Sequence, residues 1–569
     1  MNFKDEFCKW QQYKNLDDAN KAELLEIRDN EQEIRERFSK HLEFGTAGLR
    51  GIMGAGTNRI NIYTIKRATQ GLCSYIKSQG DEAVRRGVAI AYDTRNNSEV
   101  FALETALVLA GNGIKAYLFS EPRPTPHLSF AVRYLKTISG IVITSSHNPK
   151  EYNGYKVYWD DGGQIPPNVS DEVLRHIENT DIFSTVSISK KQASEKGLIE
   201  YLGRELDDAF TEAVLKQSTL KSKPSVSIVY TPLHGTGTPL VERTLLEAGF
   251  DKVFVVEEQA IPNGDFPTAP YPNPELDQCY TLAIREAEKR NADLILATDP
   301  DADRVGMCVR AKDGSYKRIY GNQAGALLTE YVLSQKKLDG TLSKNSVVIS
   351  TIVSTRLTQA ICEAYGVRYM DVYTGFKFIA EKILLFEQTN DNRFIMGWEE
   401  SYGYLVGTHA RDKDALVACL IMAEMCDFYR SQGKTLLDAL DDLFAKYGFY
   451  IEGVVNIVKQ GLEGAEKINS IMENFRSNPP DKIGRFSVLC MRDYKNQTKY
   501  SLSDGKRSPI KLPPANVIYF EMSDGMELAV RPSGTEPKLK FYIFAKSDSK
   551  SDAEEKTESL RKYISETFE

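Results

Sequence analysis

Apolar positions along this chain recur with two different periods, and the changeover between them divides it into parts. Residues 13–41, YKNLDDANKAELLEIRDNEQEIRERFSKH, carry helical spacing and dense charge, which predicts a solvated helical lead-in. From about residue 65 short β-branched runs alternate with longer amphipathic stretches: GVAIAY (87–92), EVFALETALVLAGNG (99–113), IKAYLF (114–119) and GIVIT (140–144). Such alternation predicts βαβ units on a mostly parallel sheet. A second set follows in SVSIVYTPLHG (225–235), TPLVERTLLEAG (238–249), DKVFVV (251–256), a helix near 275–290 and DLILATD (293–299). The third comprises SVVIST (346–351), TRLTQAICEAYG (355–366), VRYMDVY (367–373), FKFIAEKILLFE (376–387), RFIMG (393–397) and a long helix from Asp412 to Tyr429. Three tandem α/β domains are therefore expected, with boundaries near 200–210 and 315–325. After them VVNIV, NVIYFEM, MELAVR and KLKFYIFAKS are strands with few helices between, which predicts a C-terminal α+β domain. The expected divisions are 1–205, 206–318, 319–440 and 441–569.

Composition agrees with several folded domains. The chain has 569 residues with 39 Gly and 22 Pro, too long for one core and too evenly punctuated for a coiled coil. Hydrophobic residues at 41% and charged residues at 27% exclude disordered, collagen-like and repeat-tract classes. The net charge of −7 argues against nucleic-acid binding through an overall basic field, so an anionic ligand would need a local basic site. The longest apolar runs, such as Ala415–Met425, stop well short of the roughly 18–20 residues of a membrane span, so no membrane association is expected. The start, MNFKDEFCKWQQYK, has no apolar segment ahead of a small-residue cleavage site and does not read as a signal peptide. Eight Cys without a CxxC pair fit buried thiols in a reducing compartment, so a cytoplasmic location is expected.

Candidate chemistry sits where the strands end. ITSSHNPKEYNGYKVYW (143–159) follows the strand GIVIT, so its first residues fall at the carboxyl end of a strand, where open α/β sheets place ligands. Ser146, His147 and Lys156 there offer a hydroxyl nucleophile, a titratable base and a cation, although the segment alone could be a polar turn. ATDPDADRVG (297–306) places Asp299, Asp301 and Asp303 at alternating positions after another strand. Two like charges ~4 Å apart repel by roughly 4 kcal/mol at an effective dielectric of about 20, so converging carboxylates call for a cation. Oxygen-only donors favour Mg²⁺; the alternative is an acidic turn with divergent side chains. In AVRPSGTEPKLKF (529–541), Arg531, Ser533, Gly534 and Thr535 offer a guanidinium, two hydroxyls and a backbone N–H for a phosphate monoester, or form an ordinary turn. WEESYGY (398–404) puts Glu399 and Ser401 on one side of an extended segment, a pair suited to sugar hydroxyls, or a solvated loop. FGTAGLRGIMGAGTNRIN (44–61) lacks both nucleotide-loop signatures, and its Arg50 and Arg59 suit anion contact. Arg95, Thr374, Gly375, Lys377, Arg411 and Lys413 lie in further loops, where their cations would make a local positive site or be surface charges.

FGTAGLRG, TSSHNP, DPDADR, EESYG and RPSGTEP occur in this order over residues 44–537, and with them the chain resembles the α-D-phosphohexomutases, the family of phosphoglucomutases and phosphomannomutases. The resemblance implies three α/β domains of related topology and a smaller α+β domain around a central cleft. It implies that Ser146 carries a phosphoryl group and that Asp299, Asp301 and Asp303 hold Mg²⁺ together with a phosphoserine oxygen from Ser146. Arg50, His147, Lys156 and Arg304 would surround the transferring group, and Thr374, Gly375, Glu399 and Ser401 the sugar. Arg531, Ser533, Gly534 and Thr535, helped by Lys413, would hold the other phosphate. Ser145, Trp398 and Tyr402 depart from many members and look most like the branch of phosphoglucomutases and phosphopentomutases of the second eukaryotic type and bacterial relatives. The activity implied is interconversion of hexose 1- and 6-phosphates, glucose first, through a hexose 1,6-bisphosphate. Phosphopentomutase, phosphomannomutase and bisphosphate synthase activities are the enzymatic alternatives, and a phosphosugar-binding regulatory protein the non-enzymatic one. Sugar phosphates are the expected partners, and a monomer or weak dimer the expected state.

Overall fold

The runs VAIAY and SGIVI fold as neighbouring parallel strands in which every residue is buried, as expected of a sheet with both faces covered. The computed structural model describes residues 2–45, 48–459, 461–533 and 538–568. These divide into two compact units, one formed by Met1–Gly321, Asn345–Ile349 and Gly375–Thr435, the other by Asn322–Lys344, Ser350–Thr374 and Leu436–Glu569.

In the first unit, a six-stranded sheet contains β1 (Gly48–Ile52), β2 (Val88–Tyr92), β3 (Ala116–Phe119), β4 (Ser139–Ile143), β5 (Tyr152–Trp159) and β6 (Ile199–Leu202), in the order β1-β5-β4-β2-β3-β6. β4, β2, β3 and β6 run parallel, while β5 and β1 are antiparallel additions. A five-stranded sheet follows with β7 (Ile228–Thr231), β8 (Val253–Val255), β9 (Leu294–Thr298), β10 (Val305–Arg310) and β11 (Tyr316–Ile319), in the order β11-β10-β9-β7-β8. β9, β7 and β8 run parallel, while β10 and β11 are antiparallel additions at one edge. β12 (Ser346–Thr351) pairs through Ser346–Ile349 in parallel with a later strand of this unit, Arg393–Glu399, which turns antiparallel onto Gly403–Val406. Both sheets are therefore mixed: the hydrophobic runs supply the parallel strands, and on one side β5 and β10 return the chain antiparallel after a loop carrying candidate site residues.

The lead-in differs from its expected form. It consists of three helices, Phe3–Gln12, Asp18–Ile27 and Glu31–Phe38, each begun by an Asn or Asp whose side chain accepts a first-turn N–H. They are not merely solvated, because Trp10, Leu24, Ile27, Ile34 and Phe38 line up on a shared apolar face and pack with Tyr63 and Ile182. Trp10 is fully buried, with Phe38, Tyr63 and Phe183 edge-on to it at centroid distances of 5.7, 5.4 and 5.4 Å.

The second unit contains β13 (Arg368–Val372), and its largest sheet is antiparallel. That sheet is built from Phe449–Val458, Phe486–Asp493, Thr498–Ser501, Arg507–Pro509, Ile518–Met522, Met526–Pro532 and Lys538–Ser547, with Lys482–Ile483 on its flank. Helices Gly461–Ser477 and Lys550–Phe568 cover one face, where Ile468, Met472, Leu560 and Ile564 meet Ile457, Leu528, Val530 and Phe541. All eight cysteines are free thiols; Cys8 is exposed and the other seven are buried. Among the described residues no helix is long and apolar enough to cross a membrane.

Trp10→Ala should destabilise the first unit by about 3–5 kcal/mol, the cost of removing a large buried aromatic. A clear fall in the denaturation midpoint followed by circular dichroism is the expected result; an unchanged midpoint would mean that the N-terminal helices do not pack as described.

Candidate active site

Thr144–Pro149 leave the carboxyl end of β4, and Ser146 takes a left-handed backbone conformation there, with φ 53°. Its N–H donates to Thr144 Oγ1 at 2.8 Å, and its hydroxyl donates to Asp299 Oδ2 at 2.6 Å. Nδ1 of the half-buried His147 lies 3.1 Å from the same hydroxyl. Burial, reinforced by the positive charges of Arg304 and Arg50, holds the His147 imidazole well below its usual range, so at neutral pH it is uncharged.

Asp299, Asp301 and Asp303 follow β9, and the three carboxylates converge, offering ligand oxygens all within 4.8 Å of one another and all buried. The loop is held by the Asp299 carboxylate, which accepts the Arg304 N–H at 3.0 Å, and by Ala302, whose φ of 46° reverses the chain. Thr236 supports it from beneath, donating its N–H and hydroxyl to Pro300 O at 2.8 and 2.9 Å. Residue 235 must be glycine for this approach, since a Cβ would stand 2.4 Å from Pro300 Cα. Cations ring the cluster: Lys156 Nζ lies 2.8 Å from Asp301 and 3.6 Å from Asp303, and Lys413 Nζ lies 3.1 Å from Asp303. Exposed Arg50, on β1, lies within electrostatic reach of all three aspartates and of Arg304.

The aspartates fit a hard divalent cation. Oδ1 of Asp301 and Oδ1 of Asp303 are buried without a hydrogen-bond partner, although such atoms are ordinarily satisfied. Burial and then the charges of Asp301 and Asp303 push the Asp299 carboxyl well above the usual carboxylate range. Burial acts in the same direction on Asp301, but Lys156 and the Thr125 hydroxyl at 2.8 Å overcome it and hold that group below the usual range. Anionic oxygens with no nitrogen or sulfur among them suit Mg²⁺ better than a transition metal.

Glu399 and Ser401 do not share an extended segment. Glu399 ends a strand, Ser401 stands in the turn, and Tyr402 has φ 66° before the return strand begins at Gly403. The hairpin arises because β-sheet pairing of Glu399 with Gly403 closes the intervening residues into a loop. Buried Glu399 accepts the Gly375 N–H at 2.6 Å, and Tyr402 O accepts the Val305 N–H, so this turn is tied to the strand leaving the aspartate loop. At Gly403 a Cβ would lie 2.0 Å from Lys413 Cδ; its absence lets the lysine pass over the turn to Asp303.

The structure thus brings together Ser146, His147, Lys156, Lys413, Arg304 and the three aspartates, with Glu399 and Gly375 bonded to one another alongside Ser401. In the second unit, Thr374 follows β13, and Arg531 pairs with Lys540 at the end of a strand. The Ser533 N–H donates to Lys538 O at 2.7 Å. Gly534 and Thr535 lie outside the described residues. Arg59 and Arg411, read as candidate anion contacts, instead pair with Glu36 and Glu387. Residues the motifs did not mark also serve the site: Glu275 lies 3.0 Å from the Arg304 guanidinium, Thr125 bonds Asp301, and Asp412 lies 2.9 Å from Lys413. Glu275 and Thr125 lie far in sequence from the groups they bond, so no local spacing signals them.

A hydroxyl aimed at clustered carboxylates among fixed cations, at the ends of strands in tandem α/β sheets, defines a protein equipped for group transfer between oxygens with the help of a hard cation. Models of phosphoglucomutase/phosphomannomutase α/β/α domains I, II and III match residues 41–182, 208–314 and 320–447. The phosphoglucomutase of Staphylococcus haemolyticus (strain JCSC1435) is 38% identical over 516 residues, covering 90% of this chain and 92% of that protein. The phosphoglucomutase of Staphylococcus aureus (strain MRSA252) is 38% identical over 531 residues, with 93% and 94% covered. Among solved structures, the Paramecium exocytosis-sensitive phosphoprotein pp63/parafusin, a phosphoglucomutase, shares the fold with a TM-score of 0.66 at 16% identity, over 92% of this chain and 95% of that one. The chain belongs to the phosphoglucomutase/phosphomannomutase family, and so to the intramolecular phosphotransferases.

Mg²⁺ should raise the melting temperature, since a ligand at about 100 times its Kd stabilises by about 2.7 kcal/mol. Asp301→Asn removes an anionic oxygen and should weaken Mg²⁺ at least about tenfold in the same titration. Full wild-type activity in excess chelator, with no change in melting, would overturn the metal site.

Proposed function

We propose that this protein interconverts hexose 1-phosphate and hexose 6-phosphate, with glucose as the sugar, by way of a phosphorylated Ser146. The observation that carries this reading is the 2.6 Å contact of the Ser146 hydroxyl with Asp299 inside the buried carboxylate cluster. A lone buried serine would need no such company, whereas a phosphoserine needs an adjacent cation and a set of fixed positive charges. The family relatives named phosphoglucomutase, similar over most of their length, support the choice of glucose.

Asp299, Asp301 and Asp303, with an oxygen of the Ser146 phosphate, would hold Mg²⁺, whose charge when bound would lower the cost of negative charge on the transferring group. Lys156, Lys413, Arg304 and Arg50 act on the same charge from fixed positions. Because ion-pair partners already orient Lys156, Lys413 and Arg304, little reorganisation remains for those three at the moment of transfer. The phosphoryl group moves from Ser146 Oγ to the free sugar hydroxyl; the Ser146 oxygen keeps the bond's electron pair, and His147 is placed to exchange the proton. The product is a hexose 1,6-bisphosphate, which must turn so that its other phosphate meets Ser146 and returns to it. Glu399 and Ser401 would hold sugar hydroxyls in both orientations, with Thr374 and Gly375 beside them. Arg531, Ser533, Gly534 and Thr535 would grip whichever phosphate is not reacting. The four divisions at 1–205, 206–318, 319–440 and 441–569 then carry the serine loop, the metal loop, the sugar loop and the phosphate loop. Seven buried thiols favour a reducing, cytoplasmic setting.

Ser146→Ala should abolish turnover while leaving sugar phosphate binding nearly intact, and intact-mass spectrometry should find one phosphate on the wild type after exposure to the bisphosphate. A variant keeping more than about a tenth of wild-type kcat, a loss under ~1.4 kcal/mol, would refute the covalent route. Arg531→Ala should weaken both monophosphates alike by about 1.5–3 kcal/mol, roughly ten- to over a hundredfold, and should release more bisphosphate. A defect confined to one monophosphate, without added release, would remove the 531–537 loop from this role.

A further inference from the structure

We infer that Arg95 is a positioning residue for the nucleophile: it holds the Ser146 loop in the left-handed conformation that aims the hydroxyl at Asp299. This rests on the reading of Ser146 as the phosphoryl carrier. Arg95 lies in the loop after β2, the strand beside β4, and its side chain is fully buried. One terminal nitrogen donates to Pro149 O at 2.8 Å and Tyr152 O at 3.2 Å. The other donates to the carbonyls of Ser146 and Asn148. Nε faces the buried Asp93 carboxylate at 3.3 Å. Four N–H groups of the guanidinium thus meet four acceptors, all of them backbone oxygens of one loop, 146–152, while Nε faces Asp93 as an ion pair without a hydrogen bond.

The arrangement is itself held. Asp93 accepts the Ser98 hydroxyl at 2.7 Å and the Arg95 N–H at 3.0 Å, so the anion that steadies the guanidinium is fixed to the same turn. The Phe266 ring lies 5.0 Å from the guanidinium carbon. That ring comes from the segment after β8, which belongs to the sheet carrying the aspartates. The consequence for Ser146 follows from its backbone. A serine at φ 53° is in a region that residues with a Cβ enter at a cost and keep only when their surroundings impose it. Here a carbonyl held by Arg95 and an N–H held by Thr144 bracket the residue on both sides. Relaxation to the right-handed region would swing Oγ away from Asp299. A buried ion pair that served the core alone would have no need to direct four donors at this one loop. Lysine cannot substitute, because a single ammonium has three donors and no planar fork.

The test compares Arg95→Lys and Arg95→Ala with the wild type as full-length chains. It measures kcat and KM with glucose 1-phosphate, the rate at which glucose 1,6-bisphosphate phosphorylates Ser146 by intact mass, and thermal melting. Each is repeated with guanidinium ion at concentrations too low to unfold the wild type. We expect kcat and the phosphorylation rate to fall together by about a hundredfold, the scale of a reacting atom misplaced by an ångström, while KM moves less than about threefold. Guanidinium should restore Arg95→Ala and leave Arg95→Lys unchanged. Arg95→Lys with wild-type phosphorylation overturns the inference, as does a loss in Arg95→Ala that guanidinium does not relieve. Variants that fail to fold would assign Arg95 to the core and overturn it too. A wild type that neither turns over nor takes phosphate on Ser146 would instead refute the function on which the inference rests.

Discussion

Three carboxylates gathered within 4.8 Å of one another, out of water, are the constraint around which the first unit is arranged. Each pair repels by several kcal/mol in such surroundings, and the hydrophobic burial of β9 and β10 on either side leaves the loop no room to splay them apart. The repulsion has to be met by positive charge from outside the loop. Lys156 arrives from the first sheet and Lys413 from the segment after the hairpin that carries Glu399. Parts of the chain more than a hundred residues apart are thereby obliged to converge.

The lysines need support in turn, since a buried ammonium loses its hydration. Burial alone would depress Lys413; the charges of Asp303 and Asp412 reverse this and hold it above the usual lysine range. Asp412 is itself held by the Tyr158 hydroxyl at 2.6 Å, and Tyr158 stands on β5, two residues beyond Lys156. Burial likewise acts against Lys156, and Asp301 and Asp303 more than compensate. A closed chain of alternating charge results, in which removal of one member leaves its neighbours buried and unpaired. Such a chain keeps the cations permanently charged and in place, which is what transfer of an anionic group requires.

Scaffold and site divide the work between strands and loops. The parallel strands β2, β4, β7 and β9 are buried along their whole length and mostly apolar, which leaves the chemistry to their carboxyl ends. At those ends the backbone repeatedly takes left-handed turns, at Ser146, Ala302 and Tyr402. Each reverses the chain sharply enough to keep a polar side chain at the end of a sheet instead of letting it run on into solvent.

The amino-acid sequence by itself determined the elements and the identity of the chemical groups. Strand runs and turns are local: β2, β7 and β9 fall within the apolar runs and β4 within one residue of its run, and Ser146 and the aspartates stood out as candidates because each lies just past a strand. Periodicity did not reveal that the lead-in helices bury Trp10 and Phe38, because an apolar stripe has meaning only once a partner face exists. Nor did it show that Glu399 and Ser401 flank a turn, since strand pairing from Met396 to Val406 decides that. Tertiary structure alone decided which cations serve which carboxylates. Arg59, Arg95, Arg411 and Lys413 read alike as loop charges, yet Arg59 and Arg411 close structural pairs, Arg95 braces a loop from beneath, and Lys413 reaches Asp303. A charge acts through distance and burial, and neither is written in the spacing of residues that meet only after three sheets have packed.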